Sequence, residues 1–236
     1  MIIGSGITIG SGVQIVPDGI PYPSPLLHLD ASAYSGSGST WTANTGSNAT
    51  LYNTPTYTSA SPTYFNFAPA SKEYATVSDL GSLSTWSVEC WVRVKSSLSG
   101  VVSSVVTNQY NGASSLNFSI GTNRAPTSYN LCVGFFNGAW RNTNGFAPTL
   151  NTWYHIVGTY DGSTVKQYVN NSLDTQLSYT GTPTSGGQVR IAGRWDDLVL
   201  TTDFFPGDIG VVRIWNSALT SSNVSALYSE NSSRFV

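Results

Sequence analysis

The stretch Trp153–Asn170 reads W-Y-H-I-V-G-T-Y-D-G-S-T-V-K-Q-Y-V-N and predicts a β-hairpin. Its residues alternate between two faces as far as Tyr160, and Asp161-Gly162 then supplies a tight turn. The return strand, Val165–Val169, again places alternate residues on one face. A hairpin of this kind indicates an antiparallel sheet.

A second stretch, Phe205–Tyr228, reads F-P-G-D-I-G-V-V-R-I-W-N-S-A-L-T-S-S-N-V-S-A-L-Y. It predicts a strand over Ile209–Trp215 and then a short helix that begins at Thr220 or Ser221 and continues to Tyr228. The residues that would form the buried stripe of this helix are Leu219, Val224, Leu227 and Tyr228.

Further strand-like segments recur roughly every ten residues. They are centred on Leu27 and Leu29, or cover Tyr64–Phe67, Tyr74–Val77, Trp86–Val94, Gly100–Val106, Ser115–Ile120, Leu131–Phe136 and Gln188–Ala192. In Trp86–Val94 the apolar face comprises Val88, Cys90, Val92 and Val94. Residues 34–50 predict a long loop anchored by Trp41. We therefore predict an all-β, two-sheet antiparallel jelly-roll sandwich with an extended N-terminal arm and one short C-terminal helix.

The composition excludes several classes of function. The chain has 236 residues, of which 9% are charged, and a net charge of −2. Its ten Lys and Arg residues are scattered singly, so no basic patch predicts a nucleic-acid partner. No apolar run reaches the roughly 18 residues that a membrane helix needs, so we predict no membrane insertion.

The two cysteines, Cys90 and Cys132, each lie within a strand-like run. Two buried thiols that pack as small apolar side chains explain this placement. A single disulfide between strands is the alternative that the sequence leaves open.

The chain divides into three parts by composition: a glycine-rich arm (1–16), a proline-rich linker (17–25) and the sandwich (26–236). The arm repeats G-S-G-I-T-I as G-S-G-V-Q-I, and two such units are too few to bury a face by themselves. The arm must therefore pack on its own domain or on another chain, and we favour another chain. Its apolar residues, the predicted assembly contacts, are Ile3, Ile7, Ile9, Val13 and Ile15.

Several motifs together resemble the laminin-G-like, concanavalin-A-like jelly rolls. They are L-D-A near residue 30, S-G-S-G-S-T-W, W-S-V-E-C-W-V-R, W-Y-H-I-V-G-T-Y-D-G-S and F-P-G-D-I-G-V-V-R-I-W-N-S-A-L-T, in family order over residues 26–230. The L-D-A start, the G-S-G loop and the glycine-rich N-terminus resemble virion structural proteins of phages, notably cyanophages. The resemblance implies two stacked antiparallel sheets and a binding role, commonly toward glycans.

The sequence offers no recognisable catalytic set, and we predict that the protein is not an enzyme. Glycosidases need two carboxylates that face each other, whereas the three glutamates, Glu73, Glu89 and Glu230, lie in no E-x-D-x-E context. We predict that Glu89 makes an ion pair with Arg93 on the face of its strand. His28 and His155 fit structural roles, and no G-x-S-x-G elbow is present.

Two loop-like segments combine a tryptophan with planar polar groups, as sugar binding requires: residues 137–144 and 194–197. The candidate glycan-binding residues are Trp140, Arg141, Asn142, Arg194, Trp195, Asp196 and Asp197. The alternative is that both tryptophans only cover sheet edges or pack beneath loops.

We expect no cofactor. Some members of the family bind calcium through an acidic residue in a segment that here reads Phe67-Ala68-Pro69-Ala70, so the resemblance does not supply that ligand. Calcium would instead require several oxygens to converge. The candidate ligands for such a site are Asp30, Asp196, Asp197, Asp203 and Asp208.

The sequence thus predicts a non-enzymatic phage virion protein, in the form of a head decoration, fibre or tail-surface component, whose jelly roll binds host-surface glycans. The N-terminus, M-I-I-G-S-G-I-T-I, lacks the features of a secretion signal. We therefore expect the virion surface as the location, with other virion proteins or copies of the same chain as partners of the arm. A free-standing lectin or cell-surface adhesin is the alternative, and a polysaccharide hydrolase or lyase is a third.

Overall fold

The computed structural model describes residues 13–15, 21–98, 102–109, 116–122, 130–184, 186–196 and 199–236. Within them lie 21 strands, one α-helix, α1 (Ser221–Phe235), and two 3-10 helices, Ala31–Ala33 and Pro69–Ser71. No helix in this part of the chain is long and apolar enough to cross a membrane.

The strands are, in chain order, β1 (Val13–Ile15), β2 (Pro21–Pro23), β3 (Leu27–Asp30), β4 (Thr40–Trp41), β5 (Ala43–Thr45), β6 (Ala49–Tyr52), β7 (Thr56–Thr58), β8 (Tyr64–Phe67), β9 (Tyr74–Asp79), β10 (Trp86–Val94), β11 (Ser104–Gln109), β12 (Leu116–Thr122), β13 (Leu131–Phe136), β14 (Trp140–Asn142), β15 (Trp153–Tyr160), β16 (Thr164–Val169), β17 (Ser172–Ser178), β18 (Gln188–Ile191), β19 (Arg194–Asp196), β20 (Val199–Thr202) and β21 (Gly207–Trp215).

Two antiparallel sheets form a sandwich, as predicted. Sheet I has the order β17-β16-β15-β10-β21-β3-β5, and β8 joins it beside β21 with β7 beyond. Sheet II has the order β14-β13-β12-β11-β18-β9-β6-β4. Two small pairs, β1-β2 and β19-β20, complete the described strands.

The core lies between the inner faces of the two sheets. Val88, Cys90, Val92 and Val94 of β10 face it, which confirms the predicted alternation. Burying each large apolar side chain here contributes roughly 1.5–3 kcal/mol. Both cysteines are free and buried. The prediction of two buried thiols is therefore confirmed, and the alternative of a disulfide between strands is wrong.

The predicted hairpin is β15-β16, and Asp161 stabilises its turn. One oxygen, Asp161 Oδ1, accepts from the backbone N–H groups of Ser163 and Thr164, at 2.8 Å each. Gly162 takes a φ of +94°, which favours glycine. On the return strand, the buried Gln167 donates from Nε2 to Leu131 O at 3.0 Å and so ties sheet I to sheet II.

Helix α1 covers the outer face of sheet I. Thr220 caps its N-terminus in a capping box with Asn223. Val224 and Leu227 are buried against sheet I, as predicted. The helix is longer than predicted and continues beyond Tyr228, because Phe235 stacks on Trp91 of β10 with ring centroids 4.7 Å apart.

Charged residues lie under this helix, which corrects the predicted pair of Glu89 with Arg93. Glu89 is fully buried and accepts from Arg213 Nη1 at 3.3 Å. It also lies 3.0 Å from His155 Nε2. Arg93 instead donates to Asp208 at 2.6 Å. The sequence did not reveal this exchange because the partners come from β15 and β21, which flank β10 only in the folded sheet.

Residues 34–50, predicted as one long loop, contain β4, β5 and the start of β6. The short strands are stabilised by tertiary contacts, since Trp41 is fully buried and its Nε1 donates to Asp30 O at 2.9 Å. The glycines and serines of this segment carried no alternation that would have predicted the strands.

The chain enters the sandwich on the outer face of sheet I. Strand β1, from the end of the predicted arm, pairs with β2, from the predicted linker. Tyr22 is buried and donates its hydroxyl to Glu230 of α1 at 2.8 Å. Trp215 Nε1 donates to Pro23 O at 2.7 Å. Ile3, Ile7 and Ile9 lie outside the described residues, and the assembly role of the arm stays a prediction.

Candidate functional site

The candidate site lies on the outer face of sheet II, at the edge formed by β14. The segment 137–144, predicted as a loop, contains this strand. Trp140 pairs with Phe136 and Asn142 with Gly134, so both side chains lie on the same face of the strand. The turn that leads into β14 includes Gly138, with a φ of +89°.

Trp140 forms one wall of a cavity of about 260 Å³. Asn142 and Arg194 line it as well, so three of the seven predicted glycan-binding residues are brought together. The remaining lining residues are Val102, Ser104, Leu116, Ser119, Gly121, Thr122 and Cys132. Trp140 is one of the few large hydrophobic side chains that stay exposed, at 37%.

Arg194, which also lines the cavity, lies over the ring of Trp140. Its guanidinium carbon is 5.7 Å from the centre of the indole ring, within cation–π distance. Its Nη2 lies 2.6 Å from Asp203 Oδ2, so the arginine is held by a carboxylate behind it. The indole is therefore fixed on one side by a planar cation that is itself only 3% exposed.

Asn142 lies on Gly134, and the missing side chain there makes the contact possible. A Cβ at Gly134 would overlap Asn142 Oδ1 and the backbone of Arg141. Asn142 Oδ1 is buried and has no hydrogen-bond partner among the described residues. Asn142 thus supplies a planar amide group to the lining of the cavity that Trp140 shares.

Arg141 does not line the cavity, because alternation places it on the opposite face of β14. Its guanidinium stacks on Tyr179, 4.1 Å from the ring centre, and its Nε donates to Asn137 Oδ1 at 3.1 Å. Trp195 and Asp196 follow Arg194 in β19, which corrects the predicted loop. Asp197 lies outside the described residues.

Sequence reasoning missed the floor of the cavity. Ser119 and Cys132 lie there, on β12 and β13. Their sequence neighbours Ile120 and Val133 face the core, so alternation within each strand carried a signal for the outward face. The pairing of β12 with β13, which brings the two residues under Trp140, was not readable from either strand alone. Burial raises the pKa of the Cys132 thiol to about 12.

Three of the candidate calcium ligands are paired with arginines instead. Asp30 binds Arg234 through two bonds of 2.6 and 2.9 Å, Asp208 pairs with Arg93, and Asp203 pairs with Arg194. Burial raises the pKa of Asp30, but the hydrogen bonds from Arg234 and Ser32 and the Arg234 charge together hold it below its ordinary value. In the part of the chain that the structure describes, no group of three His, Cys, Asp or Glu residues could hold a metal ion.

The fold defines a lectin-type β-sandwich, and comparison with known proteins gives its family. Residues 69–225 match the family described as the concanavalin A-like lectin/glucanases superfamily, and the chain belongs to it. A search of curated protein sequences found no match.

Solved structures with the same fold differ widely in sequence. Domain 4 of AbnA, a GH43 extracellular arabinanase from Geobacillus stearothermophilus in complex with arabinotriose, is 19% identical with a TM-score of 0.64; the match covers 86% of this chain and 98% of that one. The botulinum neurotoxin serotype G binding domain is 16% identical with a TM-score of 0.61, over 89% of this chain and 52% of that one. Trypanosoma rangeli sialidase in complex with sialic acid is 16% identical with a TM-score of 0.57, over 96% of this chain and 36% of that one. These likenesses establish the fold.

Proposed function

We propose that this protein is a non-enzymatic virion structural protein of a phage, a head decoration, fibre or tail-surface component, whose jelly roll binds glycans of the host surface. The observation that carries the binding part is the exposed Trp140, which lines a cavity on the outer face of sheet II together with Arg194 and Asn142.

The chemistry of the cavity suits a sugar ring. A flat indole face packs against the C–H side of a sugar, and planar polar groups bond its hydroxyls. Trp140 supplies the first and Asn142 the second, while Ser104 and Ser119 add hydroxyls at the floor. Arg194 is already paired with Asp203, so the cavity holds little uncompensated charge and favours neutral sugars over strongly anionic ones.

Two of the similar structures support a glycan ligand. The arabinanase domain was solved with arabinotriose and the sialidase with sialic acid. Both of those ligands are carbohydrates, which supports a carbohydrate as the class of ligand.

The virion part of the proposal is supported by the sequence. The glycine-rich repeat of residues 4–15 and the resemblance to phage surface proteins favour an arm that joins the sandwich to other virion proteins or to copies of the chain. The structure adds that Tyr22 and Pro23 hold the chain on the outer face of sheet I. The point where the chain enters the sandwich and the Trp140 cavity thus lie on opposite sheets.

A glycan array that carries bacterial and algal surface polysaccharides tests the binding part. We expect the wild type to bind a subset of glycans and Trp140→Ala to lose that binding. The control is Leu173→Ala, since Leu173 is 52% exposed on β17 of the opposite sheet. If the wild type binds no glycan, the binding proposal is wrong and a purely structural role remains.

The assembly part is tested on the full chain. We expect a variant with five serine substitutions in the arm to have the mass of a monomer by light scattering. The substituted residues are Ile3, Ile7, Ile9, Val13 and Ile15. An unchanged assembly in this variant would contradict the arm as the contact, and a wild type that is monomeric and binds glycans would favour the free-standing lectin. Release of reducing sugar from the bound polysaccharide would overturn the non-enzymatic assignment.

A further inference from the structure

A pair of stacked tyrosines lies on the same face as the cavity, toward the other edge of sheet II. Tyr52 of β6 and Tyr74 of β9 are paired in register, and their rings are 4.6 Å apart and parallel to within 5°. Their neighbours Leu51 and Ala75 face the core, so both tyrosines face outward. Tyr52 is 40% exposed.

The ring face of Tyr52 that points away from Tyr74 is open. Strand β4 pairs with β6 at Thr40 and Thr50, and Leu51 N donates to Ser39 O at 2.7 Å just beyond. Continuing this register places Gly38 opposite Tyr52. A Cβ at Gly38 would meet no atom within 4 Å, so the neighbouring strand leaves space beside the tyrosine.

Polar groups hold and surround the tyrosine pair. Arg190, on β18, pairs with Thr76, two residues from Tyr74 on the same strand, and its Nη1 donates to Gln188 Oε1 at 2.6 Å. Asn53 Nδ2 donates to Lys72 O at 2.7 Å, which joins the turn after Tyr52 to the turn before Tyr74. Asn53 and Lys72 are exposed, so hydrogen-bond donors stand at the rim of the aromatic surface.

One row of paired residues connects this surface with the Trp140 cavity. It runs across the outer face of sheet II through Thr50, Thr76, Arg190, Thr107, Ser119, Gly134 and Asn142. Six steps between neighbouring strands separate β6 from β14, which corresponds to about 29 Å. The centre of the row is covered, because Thr107 is buried and its Oγ1 donates to Gly193 O at 3.5 Å.

We propose that the Tyr52–Tyr74 pair is a second carbohydrate-binding subsite, which takes a sugar residue of the same polysaccharide that binds at Trp140. This inference rests on the proposed function. The outer face of the Tyr52 ring, with the Tyr74 ring stacked behind it, offers a flat surface for the C–H face of a sugar, and the exposed donors around it can bond hydroxyls. Because the two sites are separated by six strands, a trisaccharide occupies one of them, and only a long glycan contacts both. Simultaneous contact raises the apparent affinity without any new contact at either site.

Affinity electrophoresis of the full chain tests this subsite, with gels that contain arabinan, dextran or purified lipopolysaccharide O-chains. The polymer that retards the wild type, and a trisaccharide prepared from it, are then compared by titration calorimetry. We expect Tyr52→Ala to weaken binding of the polymer by roughly threefold to tenfold and to leave trisaccharide binding at Trp140 unchanged. Tyr52→Phe keeps the stacking surface and should bind the polymer like the wild type. Leu173→Ala is the matched control on the opposite sheet.

The outcomes separate the two proposals. If Tyr52→Ala binds the polymer as tightly as the wild type while Trp140→Ala does not, the second subsite is wrong and the glycan-binding function stands. Equal loss of trisaccharide and polymer binding in Tyr52→Ala would also contradict an independent subsite. If none of the three polymers retards the wild type, both the subsite and the proposed glycan binding are overturned.

Discussion

Arg213 Nη2 donates to Glu230 Oε1 over 2.6 Å, and this contact joins a central strand of sheet I to helix α1. On its other side, Arg213 Nη1 donates to the buried Glu89. Burial raises the pKa of Glu89, but the Arg213 charge and the His155 hydrogen bond outweigh burial and hold it below its ordinary value. The helix, the sheet and the entering chain thus share one ionic cluster that reaches from the buried Glu89 to the exposed Glu230, since Tyr22 bonds the same Glu230.

Replacing Arg213 by methionine should destabilise the fold strongly. The substitution leaves Glu89 buried without its cationic partner, which typically costs about 3–5 kcal/mol. Urea unfolding followed by tryptophan fluorescence measures the change. Lys166→Met, on β16 of the same sheet, is the control and should stay within about 0.5 kcal/mol of the wild type. The double variant Glu89→Gln/Arg213→Met should recover part of the loss, and a purely additive result would contradict the coupling.

The free energy of unfolding should already fall between pH 6.5 and 4, because His28 is harder to protonate in the folded protein than in the unfolded one. Burial, and to a smaller degree the Arg213 charge, lower the pKa of His28 to about 4. A group whose pKa is lower in the folded state contributes its stability above the unfolded value of about 6.5, and this is lost as the pH falls toward 4. The free energy of unfolding should therefore fall by roughly 2–3 kcal/mol over this window.

His28→Gln isolates the contribution of that imidazole. This variant should show a flatter dependence of the free energy of unfolding on pH between 6.5 and 4. Below pH 4.5, the lowered pKa values of Glu89 and Asp30 predict a further loss in both proteins, since these carboxylates become protonated there. An identical pH profile for the variant would show that His28 does not titrate in this range.

Gly134→Ala should displace the edge strand β14 and with it the Trp140 wall of the cavity. The added methyl group overlaps Asn142 Oδ1 and backbone atoms of Arg141, so the strand must shift, at a typical cost of about 1–3 kcal/mol. Gly138→Ala is the matched control, because its Cβ would meet open space and only the positive φ is strained. We expect a changed tryptophan fluorescence spectrum for Gly134→Ala and an unaltered one for Gly138→Ala.

Neither thiol should react in the folded protein at pH 8. Burial raises the pKa of Cys132 to about 12, and it raises that of Cys90 well above its ordinary value. Iodoacetamide requires the thiolate, so intact-mass spectrometry should show no adduct without denaturant and two adducts in urea. Rapid modification of Cys132 alone would show that the floor of the cavity is open to reagents.

The alternation of inward-facing and outward-facing residues predicted the long strands correctly. Trp86–Val94 and Leu131–Phe136 were predicted with the bounds that the structure has. Both carry strongly apolar inward faces, and burial on sheet I extends to the outer face because α1 covers it. By contrast, β14 and β19 have three residues each, too few for a periodic signal, and their edge or hairpin pairing depends on distant parts of the chain.

The sequence predicted which types of residue form the candidate site, but it predicted only part of their arrangement in the fold. Tryptophan beside planar polar residues pointed to Trp140, Asn142 and Arg194, which the fold brings together. Arg141 was also predicted but does not line the cavity, because adjacent residues of a strand point to opposite faces. The stacked Tyr52 and Tyr74 were missed, since they lie 22 positions apart in the sequence and only sheet pairing brings their rings into contact.

The attachment of the entering chain to sheet I has a practical consequence for measurement. Tyr22 and Pro23 are held beneath α1, on the side of the molecule remote from Trp140. A biotin group attached at the exposed Ser24, next to Pro23, would therefore immobilise the protein on a sensor surface with its tryptophan cavity pointing into the flowing sample. Coupling through Lys166 or Lys72 would give no such uniform orientation, and Lys72 lies beside the tyrosine pair itself.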